Sequence, residues 1–298
     1  LPDASKVNEV SRIYEPSMPG GFHNIFVYKH SDGRVLLFTT VSGPGANVYD
    51  LGKIVSGRVD EALVASVPLP ETPYAAVRGR DPTYHDFYVG YHTDSGEDRF
   101  YGGGTGGYYV YDISDLNSPR LLATLTGIDG VTWGHTFTPS PDGRYVVAEA
   151  EYQYAPLRVF DLKPALDGEV ATISEPISAW TADWRHLSHN HEVRWPYVFV
   201  SAYVDGLQIF SLEDPHNPVT VGYYDTYIGP LNKVRPAVLN GAFGVDVRNA
   251  DGLIVVSDFS SGFWAFRMEG FSGWSGKDWG VPDVSSVQRW EDGPRGTK

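Results

Sequence analysis

The chain has 298 residues, 42% hydrophobic and 20% charged, the composition of an ordinary globular protein and of neither a disordered nor a collagenous one. It carries 23 Lys and Arg against 37 Asp and Glu, a formal charge of −14 with no basic cluster, which speaks against a nucleic-acid partner. Cysteine is absent, which excludes disulfides, Cys-ligated zinc, iron–sulfur clusters and thiol nucleophiles together. No run approaches the roughly 18 apolar residues of a membrane-crossing helix, and the opening LPDASKVNEV has neither a basic nor an apolar leader region.

The 33 glycines, 21 prolines and 14% aromatic content predict many short strands joined by tight turns. In chain order, VSRIYEPS (10–17) is the first strand-like run, and a repeat with a period of about 50 residues follows it. Unit one has GFHNIFV as strand A, an Asp32-Gly33 turn, RVLLFTT as strand B, ANVYDLG as strand C and ALVASVPL as strand D. Unit two reads TYHDFYV, RFYGGGT, YYVYDIS and RLLATLTG. Unit three reads WGHTFTP, an Asp142-Gly143 turn, RYVVAEA, LRVFDLK and a poorer ATISEPIS. Unit four reads LSHNHEV, YVFVSAY, LQIFSLE and VTVGYYDT. Unit five reads GAFGVDV, an Asp251-Gly252 turn, LIVVSDF and FWAFRME, then Gly/Trp-rich loop where a strand D should be.

Four-stranded antiparallel units whose ends complete one another predict an all-β, five-bladed β-propeller forming a single domain over 1–298. The blades fall at about 20–70, 80–127, 131–180, 186–227 and 240–270, with the 10–17 strand closing the ring on the fifth. A six-bladed count, with a strand hidden in 175–187, and a β-sandwich are the competing architectures. The C-strand aromatics Tyr49, Tyr111, Phe160, Phe210 and Phe266 recur at one position and are assigned to the core between blades. Trp274 and Trp279 are assigned to the ring seam.

The stretch from Ser188 to Thr226 carries a His-Asn opening of strand A, a Gly206-Leu207 entry to strand C, and an Asp214-Pro215/Asn217-Pro218 bridge. With the similar bridge at 114–119 and the segment 240–266, it resembles the LVIVD-repeat β-propellers, including the choice-of-anchor B surface proteins. The resemblance covers about two-thirds of the chain and implies an exported, cell-surface or periplasmic protein, but no particular activity.

In the aligned A strands, His23, His85, His135 and His189 occupy one position, with Phe243 in the fifth. In a propeller that strand lines the central channel, so four imidazoles should converge on the axis, with His191 expected one step deeper on the same side. Strand-B ends and the loops after them return to the same rim and bring Glu149, Glu151, Tyr152, Tyr154, Asp205 and Asp258. Imidazoles with carboxylates suit a transition metal such as Fe, Cu, Zn or Mn, giving the metal set His23, His85, His135, His189 and His191. Glu149, Glu151 and Tyr152 are then the acid/base candidates of a metal-dependent oxidoreductase or lyase, and Trp133, Tyr154, Trp184, His186, Tyr203 and Asp258 the substrate-binding candidates. Asp86 is expected to alternate away from His85. The expected substrate is a small molecule or saccharide, and a closed ring needs no second subunit, so a monomer is expected.

The bland reading is that each histidine hydrogen-bonds a neighbouring blade, leaving a non-catalytic propeller that shows aromatic loops to a polysaccharide or protein. A glycosidase lacks two axial carboxylates, a serine hydrolase lacks GxSxG, and YGGGTGGYY (101–109) lacks the helix and Gly-Lys-Ser/Thr of a phosphate loop. The Asp-Gly turns lack the alternating ligands of calcium loops.

Overall fold

The computed structural model describes residues 4–71, 81–229 and 237–279. Blade one is β1 (Ile25–Lys29), β2 (Val35–Thr40), β3 (Gly45–Asp50) and β4 (Leu63–Pro68), and blade two is β5 (Tyr84–His92), β6 (Glu97–Gly104), β7 (Gly107–Asp112) and β8 (Arg120–Thr126). Blade three is β9 (Phe137–Pro139), β10 (Tyr145–Ala148), β11 (Leu157–Asp161) and β12 (Ser178–Trp180); blade four is β13 (Asn190–Arg194), β14 (Tyr197–Ser201), β15 (Leu207–Ser211) and β16 (Val219–Tyr224). Blade five has three described strands, β17 (Ala242–Val247), β18 (Ile254–Asp258) and β19 (Gly262–Phe266). All pairings within the blades are antiparallel, and residues at the starts of the five first strands line one central channel. The protein is a five-bladed β-propeller.

Apolar clusters fill the spaces between consecutive blades from one to five. Phe38, Phe87 and Phe100 meet between blades one and two, and Trp180 stacks on Phe210 at 4.6 Å between blades three and four. The recurrent C-strand aromatics take part in these clusters, except that Tyr49 packs with Ile54 and Ala62 on the other face of blade one.

Three expectations are corrected. Residues 10–17 form no strand: Ile13 packs on the Leu37–Tyr49 cluster and the Glu15 carboxylate accepts from Asn47 and Tyr49 of β3, so this segment braces blade one instead of completing blade five. A strand pattern needs an open edge to pair with, and this one lies on a blade whose four strands are already in place. In blade three the strand D is β12 alone; Ala171 instead accepts from the Thr124 amide of blade two, and 175–187 holds no sixth blade. Trp274 belongs to the blade four–five junction, donating its indole N–H to Trp195 O, and Trp279 is exposed.

The glycine-rich run of β6 has a packing cause. A Cβ on Gly103 would collide with the His135 carbonyl, so a side chain there would push blade three's opening residue away from blade two. Among the described residues no helix is long and apolar enough to cross a membrane.

Candidate metal centre

Four imidazoles form a row around the channel mouth. Ring centroids of His23 and His85 are 4.5 Å apart, those of His85 and His135 4.2 Å, and those of His135 and His189 4.9 Å; His189 then stacks on Phe243 at 3.9 Å. One residue from each of the five blades thus meets at one level. His23 Nε2 lies 3.0 Å from His85 Nε2, a pair of lone-pair-bearing nitrogens that must share a proton or a cation to sit so close.

The tightest grouping is not the four histidines. His85, His135 and Glu151 bring ligand atoms within 4.8 Å of one another, and His135 Nε2, buried and without a hydrogen-bond partner, faces Glu151 Oε2 at 3.8 Å. Glu151, read from sequence as an acid/base group, therefore stands at a ligand position. Its other oxygen accepts a short hydrogen bond from the Tyr203 hydroxyl.

Behind this grouping the His135 and His189 rings have Nδ1 contacts, whereas His85 Nδ1 is buried without a hydrogen-bond partner. His135 Nδ1 lies 2.8 Å from Glu149 Oε2, both side chains almost wholly buried. Burial pushes Glu149 up, to about 7, in spite of the adjacent imidazole. Burial also opposes charge on His135, yet the Glu149 carboxylate, with Asp86 and Glu151, outweighs it and raises His135 to about 9, so the two side chains form an ion pair. His189 Nδ1 donates to Phe243 O at 2.7 Å. Burial and the charge on His135 hold His85 down to about 2 and His189 to about 3, which keeps their rings neutral, with lone pairs free for a Lewis acid.

A second polar level lies one residue further along each A strand, where Asn24, Asp86, Thr136 and Asn190 meet. The Asp86 carboxylate accepts from Asn24 Nδ2 and from Asn190 Nδ2 at 2.9 Å, with Thr136 Oγ1 at 3.4 Å; Asn190 Nδ2 also donates to Thr136 at 2.8 Å. Burial raises the Asp86 carboxyl despite these donors and the nearby His135. The expectation that Asp86 turns away from His85 is corrected, because the β5–β6 register slips between Tyr84 and Asp86. Such a bulge places two residues opposite one and breaks the period of two. The β17–β18 register slips likewise at Phe243. His191 also lines the channel cavity, buried beside the Val147 backbone of the preceding blade, and takes no part in the ring contacts of His189. The signal for this level is visible in GFHN, TYHD, WGHT and LSHN as a polar residue after each histidine.

The remaining candidates divide. Trp133 lies 6.4 Å from the His85 ring and Tyr203 5.4 Å from the His189 ring, both at the site. Tyr152 packs against the apolar cluster between blades two and three, and is not part of the ligand grouping. His186 pairs with Asp205 at 2.7 Å, while Tyr154 and Trp184 are exposed with their rings 6.3 Å apart, a separate feature of the rim. Asp258 is corrected from substrate binding to turn building: it accepts from Thr226 Oγ1 at 2.5 Å and from Ser260 N, Ser260 Oγ and Ser261 N, which saturates its carboxylate.

Comparison with known proteins supports the fold. No protein family matches the chain, and no curated protein does. Among solved structures, Raptor from Chaetomium thermophilum superposes with a TM-score of 0.57 at 9% identity, covering 84% of this chain and 21% of that one. The β-propeller domain of Cps50 (Swd1) from Myceliophteria thermophila gives 0.50 at 10% identity, covering 84% and 72%. The class defined by fold and site is thus a five-bladed propeller with a histidine and carboxylate cluster at one mouth of its channel.

Proposed function

We propose that this propeller binds a divalent transition metal at the channel mouth through His85, His135 and Glu151, with His23 flanking His85. The observation that carries the reading is that ligand-type atoms of His85, His135 and Glu151 lie within 4.8 Å of one another, with His135 Nε2 buried and without a hydrogen-bond partner. Two histidines with one carboxylate, leaving coordination positions open, suit iron(II), and also manganese or zinc. A bound ion of this kind supplies Lewis acidity and, as iron, a redox centre.

The chain's own residues prepare the site. Glu149, 2.8 Å from His135 Nδ1, holds the imidazole so that Nε2 faces Glu151, where it can bind an ion once its proton is displaced. Tyr203 orients Glu151 by its hydroxyl, and the Asp86 level joins the residues that follow all four histidines. In this reading the protein is a metal-dependent enzyme, and the resemblance of its repeats to exported propellers favours a location outside the cytoplasm. Metal analysis of tag-free protein tests the first point: about one ion per chain is expected, lost in His85→Ala/His135→Ala. A metal-free protein that stays metal-free after incubation with iron(II), manganese(II) or zinc(II) contradicts it.

The exposed Tyr154–Trp184 pair supports a second reading, a binding propeller that presents aromatic loops to a saccharide or protein partner. It predicts that Trp184→Ala abolishes partner capture without changing metal content.

A further inference from the structure

Beside the histidine row, on the blade one–two side, lies a cavity of about 540 Å³ that shares His23 and His85 with the channel. The volume is within the range of small-molecule sites. Trp133 forms one wall, with Met18 and Val41 adding apolar surface, and the polar lining comes from Thr40, Ser42, Thr83 and Asp81.

The direction of the hydrogen bonds restricts what fits. The Thr83 hydroxyl donates to Val41 O at 2.6 Å, and the Thr40 hydroxyl donates to Asn24 O while accepting from Asn24 N. Both threonine hydroxyls therefore commit their protons to backbone carbonyls and can only accept from a ligand, and Asp81 adds a carboxylate. Among the described residues no Lys or Arg lines the space, and Glu149, Glu151 and Asp86 surround the neighbouring site. An acceptor-rich, negative wall disfavours carboxylates and phosphates and favours a ligand that brings hydrogen-bond donors. The indole wall favours a ring.

We infer that this cavity binds an uncharged ring compound bearing hydroxyl groups, of phenol or monosaccharide size, and presents it to the metal ligand His85 and the flanking His23. The inference rests on the proposed metal site for what the ligand meets there, but the cavity is built from the chain's own side chains. Binding should therefore persist without metal.

Calorimetry with resorcinol and methyl β-D-glucoside, against benzoate and phenyl phosphate as anions of similar size, tests it on full-length protein with and without metal. At least one neutral probe is expected to bind tenfold or more tighter than either anion, and Trp133→Leu should weaken it at least tenfold with metal content unchanged. Ser42→Lys, at an exposed position that tolerates substitution, should shift the preference toward benzoate. Anions binding as well as neutral probes, saturable binding by neither neutral probe, or neutral binding indifferent to both variants overturns the inference. Metal content is read separately in each protein, so loss of the metal reading leaves a resorcinol result intact.

Discussion

Glu149→Gln keeps the shape of the side chain behind His135 and removes its charge. In the wild type that carboxylate, 2.8 Å from Nδ1, holds His135 at about 9 against the effect of burial, so at pH 7 the imidazole carries a proton that a metal on Nε2 must displace. That proton competes with the metal between pH 7 and about 9. Apparent affinity should therefore rise about tenfold per pH unit over that window, with about one proton released per ion at pH 7. Without the charge, burial dominates and His135 joins His85 and His189 below the ordinary histidine range. Proton release then falls toward zero and the pH slope flattens, even though loss of the orienting carboxylate also weakens binding by about 10- to 100-fold. Zinc titration in buffers of different ionisation enthalpy measures the proton count directly. Equal proton release by the two proteins, or none from the wild type, would refute the assignment of His135 as a protonated ligand.

Three further outcomes follow from the same structure. Asp86→Asn places an amide among the three donors that now converge on a carboxylate, and should weaken metal binding by about tenfold or more in competition dialysis while the far-UV spectrum is unchanged. Phe210→Ala removes the ring stacked on Trp180 and should cost about 3–5 kcal/mol in urea unfolding. His92 is buried at the far end of β5, 2.7 Å from the Tyr101 hydroxyl, and burial with Arg99 lowers it to about 3 from an ordinary 6.5. A folded value below the unfolded one means that its contribution is complete above pH 6.5 and is lost as pH falls toward 3, on the order of 2 kcal/mol between pH 7 and 5. His92→Gln should reduce that acid sensitivity in paired unfolding curves at the two pH values.

The convergence of the imidazoles could be read from the sequence because the repeat aligns them: His23, His85, His135 and His189 each open a unit, and repeat symmetry turns equal sequence position into equal place on the axis. Asp86 lies on the channel side, against a period of two, because the bulge at the start of β5 puts two successive residues opposite one partner. A period-two rule carries no information about where a strand slips. Glu151 was legible as a rim carboxylate but not as a ligand, since it lies past the end of β10 at Ala148, where strand geometry no longer dictates direction. The 10–17 run had strand composition, but pairing is a tertiary property, and its neighbours turned out to be Asn47 and Tyr49. Asp258 looked like a site acid because carboxylates at turns serve both roles; only its four hydrogen bonds distinguish them.

The central claim is the ligand set, and anomalous scattering from crystals loaded with zinc or iron(II) addresses it most directly. A single strong peak within coordination distance of His85, His135 and Glu151 is the predicted result. A peak at His186 and Asp205, or none at the channel mouth of a metal-loaded crystal, would contradict it.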